Sequence, residues 1–198
     1  YYPGYCFGGF RSVAEIVNYL STTEYAISTA AFQVLKKILL VARITLSSDQ
    51  VPNSLTGRHP FTKPTITNAF EDAGLATPVD SVLLKAFNKI TGGNASTTSY
   101  GTENSPAGFW QINFGNLGVY RQSDWVANIK GFNNYFWGAE IYSADGRYSR
   151  YQSYGTIEVM PDGGLIASGF DINGWNWNMP PGSTTLHLPW TDLVAASS

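Results

Sequence analysis

Cysteine is nearly absent from this chain. Cys6 is the only one in 198 residues, so no internal disulfide can close and no thiolate metal site can assemble. Beside Phe7, a lone thiol reads as a small buried hydrophobe. Histidine is almost as scarce. His59 and His187 lie far apart, and neither HExxH nor DxDxDG spacing occurs, so no metal centre is expected in this chain. There is no GxSxG nucleophile motif. The glycine pairs at 92–93 and 163–164 read as a helix stop and a hairpin turn rather than a phosphate loop. Charge is also sparse, with a net value of −2, which excludes a bulk attraction to nucleic acid. An anionic ligand would have to be met by a local group of cations. The longest apolar run, FQVLKKILLVA, is interrupted by two lysines and is too short to cross a bilayer, so no membrane partner is expected.

Aromatic residues are abundant. They make up 15% of the chain, with six Trp and twelve Tyr among them. Flat ring faces stack well on pyranose sugars, and they fill cores equally well. With 43% hydrophobic and 13% charged residues, the chain has the makings of a real core and not of a disordered segment.

The pattern divides the chain in two. In the first half, Ser12 and Glu15 form a capping-box pattern, followed by Val13, Ile16, Val17 and Leu20 at helical spacing. A second helix is predicted over 28–44, with Phe32, Leu35, Ile38, Leu39 and Ala42 inward. Two more are predicted over 66–73, stopped by Gly74, and over 81–90, stopped by Gly92 and Gly93. STTSYGTENSPAG (96–108) is a polar connector. Beyond it Trp110, Ile112 and Phe114 alternate with polar residues, as do Trp125, Ala127 and Ile129, which is strand periodicity. GTIEVMPDGGLIASGF is predicted to be a hairpin turning at Asp162-Gly163-Gly164. Helices followed by antiparallel strands make the fold class α+β. Four helices and about seven strands are a small frame for so many aromatics, and a fragment of a larger protein is expected.

Several stretches could carry chemistry, each with a plain alternative. YYPGYCF opens the chain with a Pro-Gly pair that predicts a tight turn aiming Tyr5 back over the N-terminus; most tyrosines only pack. GRHPF (57–61) sets Arg58 and His59 in a loop, where a guanidinium fork could grip a carboxylate or simply face water. NNYFWGAEIY encloses Glu140 among aromatics, which suits either a catalytic carboxylate or a structural ion pair. GRYSRYQSYG interleaves Arg147 and Arg150 with tyrosines, a mixture fit for an anionic sugar chain or for a well-packed strand.

Taken in order, YPGYCF, LTGRHPF, GFWQINFGNLGVYR, WGAEIYSADGRYSRYQSYGTI and GWNWNMPPGSTTLHLPW closely resemble the chondroitin ABC lyase branch of the family-eight polysaccharide lyases. The likeness runs over essentially the whole chain. It implies the end of an incomplete α/α toroid over 1–95, a linker over 96–107, and the start of an antiparallel β-sandwich over 108–198. It also implies an anionic polysaccharide substrate of the chondroitin or dermatan sulfate type, cleaved by β-elimination. Tyr5 then corresponds to the family's proton-transferring tyrosine, Arg58 to its arginine, and Glu140 to the glutamate that orients them. His59, Arg147 and Arg150 are expected to contact substrate.

A free phenol titrates near ~10, so a tyrosine base at neutral pH wants a cation beside it, which Arg58 would supply. The family also uses a histidine shortly before YPGY and an upstream asparagine, neither of which this sequence contains. The resemblance therefore makes the remainder of a parent lyase polypeptide a necessary partner. No cofactor is expected in this chain, with calcium left open elsewhere in the parent. A polymeric substrate implies a secreted or periplasmic bacterial enzyme. The alternative is a carbohydrate-binding fragment that keeps an aromatic cleft without catalysis. Loss of turnover with retained binding on replacing Tyr5 by Phe separates the two.

Overall fold

The computed structural model describes residues 3–56, 65–123, 125–135 and 155–169, with isolated positions between 171 and 192. Four main helices come first: α1 (Pro3–Leu20), α2 (Thr29–Thr45), α3 (Thr67–Leu75) and α4 (Ser81–Thr91). Among the described residues four strands follow, β1 (Gly108–Ile112), β2 (Leu117–Gln122), β3 (Trp125–Lys130) and β4 (Thr156–Met160), then a short helix α5 (Gly164–Ala167). The strands form one antiparallel sheet in the order β1-β2-β3-β4. A helical region followed by an antiparallel sheet is the arrangement expected of the two halves.

The helix ends follow local chemistry. Ser28 caps α2 by accepting a hydrogen bond from the Ala31 amide at 3.2 Å. Asp80 caps α4 by accepting from the amides of Val82 and Leu83, and its other oxygen meets Lys36 Nζ of α2 at 2.6 Å. One carboxylate thus starts a helix and ties it to a neighbour. Gly92 ends α4 in the left-handed region at φ 85°, where a side chain would be strained. Gly74 serves a different purpose. A Cβ there would lie 2.5 Å from a Leu84 methyl carbon, so its bare backbone lets α3 and α4 approach.

The start of the chain departs from the predicted tight turn. Pro3 and Gly4 belong to α1, which runs without a break through the Ser12–Glu15 pattern read as its capping box. Proline suits the first position of a helix, since its missing N–H has no partner there anyway. The buried residues of α1 are Phe7, Ala14 and Val17, while Val13 and Ile16 stay 47% and 54% exposed. α1 packs along α3 and α3 along α4, so that stripe decides which face turns inward.

A single core runs from helices to sheet. Leu39 and Ala42 of α2, Phe70 of α3 and Leu83 of α4 join Leu117 and Val119 of β2, Val126 of β3 and Met160 of β4. Strand alternation is present, but the inward face of β3 carries Val126, Asn128 and Lys130. Trp125 and Ile129 face outward, as do Phe109, Tyr120, Ile157 and Val159. Phe114 lies beyond β1 in a 3-10 turn and is almost fully exposed. The predicted Asp162-Gly163-Gly164 hairpin is also corrected. After β4 the chain turns into α5 instead, held where the Leu165 amide donates to Gln50 Oε1 at 2.9 Å.

Two buried arginines join the halves. Arg43 donates from Nε to Glu103 Oε1 at 2.7 Å. Arg121, on β2, donates from one terminal nitrogen to the carbonyls of Arg43, Ile44 and Leu46, at the end of α2. A cation there also complements the negative end of the helix. Burial, then the neighbouring Arg43, pushes the Arg121 guanidinium down to about 10, so it remains charged at neutral pH.

Among the described residues Lys130 is another inward cation of the sheet. Its Nζ donates to the Gly131 carbonyl at 2.7 Å, and burial pushes the ammonium down to about 8. An unfolded lysine keeps its proton to about 10.4. Between these values unfolding takes up a proton, so raising pH from about 8 toward 10 should stabilise the fold through this group. Thermal melts at pH 7 and pH 9.5 check it. Relative to Lys130→Met, the native protein should gain melting temperature at the higher pH.

Candidate active site

Tyr5 lies on the first turn of α1 and is 60% exposed. That placement gives the phenol access to solvent without the sharp bend read from Pro3-Gly4. One turn further, Gly8 begins a groove between α1 and α3 lined by Arg11, Ser12, Glu15, Asn68 and Asp72. A Cβ at Gly8 or Gly9 would touch nothing within 4 Å, so this side of the helix is open next to Tyr5. Burial raises the Asp72 carboxyl above its ordinary value, against a lowering hydrogen bond from Asn18.

Arg58, His59, Glu140, Arg147 and Arg150 lie outside the described residues. What the structure does describe is the segment that leads into Arg58. A 3-10 turn, Asn53–Leu55, in the loop after α2 is buried and packs against β4 of the sheet. The Leu55 amide donates to the Pro52 carbonyl, and the Thr56 amide and hydroxyl both bond the Asn53 carbonyl. Glu158 of β4 closes the turn from below. Its two oxygens accept from the amides of Asn53 at 2.8 Å and Ser54 at 2.7 Å. Asn128 stands opposite Glu158 in register and is wholly buried.

This polar inner patch was not legible beforehand. In TIEVM the apolar Ile157 and Val159 catch the eye as the inward pair, yet they are the exposed ones. The one available signal was Met160, which shares a face with Glu158 and is fully buried.

Other concavities carry less chemistry. A cavity of about 160 Å³ at the far end of α1 is lined by Val17, Phe32 and Pro78, and its only charge is the Asp80 already engaged with Lys36. Among the described residues no cluster of His, Cys, Asp and Glu could hold a metal ion. No described helix is long and apolar enough to cross a membrane.

Residues 1–80, which include both Tyr5 and Arg58, match the family described as "Lyase, catalytic". The chain aligns over 97% of its length with the chondroitin sulfate ABC endolyase of Proteus vulgaris, at 33% identity. It aligns over 98% with the chondroitin sulfate ABC exolyase of the same organism, at 36% identity. Both relatives are chondroitin sulfate ABC lyases, the branch that the sequence blocks resemble. An exolyase of this branch from Bacteroides thetaiotaomicron matches 99% of the chain at 26% identity. The fold agrees with that of a solved chondroitinase AC lyase, with a TM-score of 0.70 over 91% of this chain and 28% of that one, at 15% identity. The chain spans about a fifth of the length of these ABC lyase relatives.

Proposed function

We propose that this chain supplies the proton-transfer part of a lyase that cleaves chondroitin- or dermatan-type glycosaminoglycans by β-elimination. The observation that carries the reading is its near full-length alignment with both an endolyase and an exolyase acting on chondroitin sulfate. The exposure of Tyr5 on a helix's first turn supports it.

The chemistry sets clear demands. The proton removed from the uronate sits at C5, next to a carboxylate, so its loss places new negative charge beside an existing one. Something cationic or hydrogen-bonding must hold that carboxylate, and a base must reach C5. In this reading Tyr5 takes the C5 proton, and the C4–O bond breaks to leave a C4–C5 double bond. The same phenol then returns the proton to the departing glycosidic oxygen. Arg58 holds the uronate and favours the deprotonated phenol, and Glu140 orients Arg58 or Tyr5. His59, Arg147 and Arg150 contact the anionic polymer. Arg11, in the groove one turn below Tyr5, is a further cation within the described residues.

The architecture that goes with this reading is the end of an α/α toroid followed by the first sheet of a β-sandwich. The outward face of the sheet favours it. Phe109, Tyr120, Trp125, Ile129, Ile157 and Val159 are too apolar a surface to face water by design, and a second sheet would cover them. Tyr120 and Trp125 already meet edge to face at 5.4 Å on that side. The remainder of the parent lyase is the partner that completes the fold and the site. A secreted or periplasmic setting follows from a polymeric substrate.

Because the chain spans a fifth of its relatives, the 198-residue polypeptide alone is expected to give no turnover. The check is an assay for unsaturated uronate, run on purified polypeptide whose mass is verified as 21.6 kDa and on the parent enzyme. Robust product from the short species would refute the need for upstream groups.

A further inference from the structure

We propose that Phe7 is the positioning residue for Tyr5, fixing the first turn of α1 on the helical core so that the phenol is held in one place. This rests on the lyase reading above and adds a side chain that is itself shut off from solvent.

Tyr5 sits where a helix holds its residues least. The first four amides of a helix have no acceptor within it, so the opening turn depends on more than the helical ladder. The local sequence gives little help. α1 opens PGYCFGGF, and Gly4, Gly8 and Gly9 are of the type that is the poorest helix former after proline. Glycine also has the most backbone freedom to lose on becoming ordered. A helix start of this composition stays formed through packing and not through propensity.

Burial reaches this turn at Phe7. From 5 to 9, Tyr5, Gly8 and Gly9 are exposed, Cys6 is half-buried, and Phe7 alone is wholly buried. A Cβ at Gly8 or Gly9 would meet nothing within 4 Å, so those two positions add no packing of their own. Phe7 is among the largest fully buried side chains and belongs to the core that Ala14 and Val17 enter further along α1. Phe10 is partly buried against the same core. These four fall at helical spacing, and Phe7 is the one nearest Tyr5.

The helix then converts the burial of one ring into the direction of the other. At about 100° per residue, a side chain two positions from Phe7 points to the opposite side of α1. With Phe7 turned into the core, Tyr5 is turned out, as its exposure shows. Only about 3 Å of helix axis separates the two residues, so a shift of the Phe7 ring is passed directly to the phenol. Ala14, nine residues from Tyr5, is about 13 Å away along the axis and exerts far less control over the first turn.

The test uses the parent enzyme. Phe7→Leu keeps the site apolar but removes the ring that sets the height of the turn. It is expected to lower kcat by about tenfold or more with KM within about twofold, since a 1 Å misplacement can cost about a hundredfold. Phe7→Met, which fills more of the ring's length, should keep more of the rate. Val17→Ala is the control for stability, being buried on the same face of α1 but far from Tyr5. It should lower the melting temperature at least as much as Phe7→Leu while kcat stays within about twofold. In a Tyr5→Phe background, Phe7→Leu should lower the residual kcat by less than about threefold, because the group it positions has lost its hydroxyl. Equal loss of kcat in Phe7→Leu and Val17→Ala would overturn the proposal, as would a Phe7→Leu effect undiminished in the Tyr5→Phe background. Either result leaves the lyase reading intact. Full turnover by Tyr5→Phe alone removes Tyr5 from that reading, and the role of Phe7 falls with it.

Discussion

Tyr5→Phe in the parent enzyme is expected to cut elimination by about a thousandfold or more while leaving polymer binding within a few-fold. The change removes one oxygen and its proton and keeps the ring. Tyr5 is exposed on the first turn of α1, so losing its hydroxyl opens no cavity in the core. Stability should hold. Binding should hold as well, because the polymer's negative charges are met by cations and not by the phenol. What disappears, in the proposed mechanism, is the group that accepts the C5 proton and returns it to the leaving oxygen. Proton transfer by a positioned side chain is generally worth 10²- to 10⁴-fold, and serving as both base and acid puts Tyr5 toward the upper part of that range. Turnover assays paired with binding of the same polymer to the variant check the outcome. Equal loss of binding and turnover would mean that Tyr5 only holds substrate, and unchanged turnover would move the chemistry elsewhere.

The second large effect concerns stability. Arg121→Met should destabilise the protein by about 3 kcal/mol, a value typical of removing one partner from a buried charged contact. The guanidinium bonds three carbonyls around the end of α2 and, through Nε, the Pro106 carbonyl at 3.2 Å. Methionine fills much of the same volume, so the loss comes from stranded carbonyls and not from a void. Arg121→Lys should cost less, keeping the charge but not the fork that reaches several carbonyls at once. Thermal or denaturant melts of the two variants decide it. A methionine variant as stable as the native protein would show that the joint between α2 and the sheet rests on the apolar core alone.

What could be read from the sequence depended on how local the cause was. Ser28 and Gly92 mark helix ends through contacts within one turn, and both ends lie within a residue of where the pattern put them. The Pro-Gly pair at 3–4 is local too, but it is compatible with a turn and with a helix start. Packing of Phe7, Ala14 and Val17 on α3 decided for the helix. Gly163-Gly164 misled in the same way, since the chain's direction there is set by Gln50, more than a hundred residues earlier. The inner face of the sheet was hidden because both faces of β4 offer apolar residues, and only the tertiary partner reveals that Glu158 points in.

Tyr5, Arg58 and Glu140 are candidates through the resemblance of the blocks that hold them. Isolated residues of these types would have passed for ordinary packing or surface groups. Glu158 carries no such mark. Its contact with the amides of Asn53 and Ser54 spans more than a hundred residues, which no local spacing encodes.

The most direct measurement is a product analysis with chondroitin or dermatan sulfate labelled with deuterium at uronate C5, cleaved by the parent enzyme. The account predicts fragments ending in a C4–C5 unsaturated uronate, with the label lost from that carbon and cleavage slowed by the isotope. Saturated ends that keep their deuterium would mean that water, not proton abstraction, breaks the chain, and would contradict it.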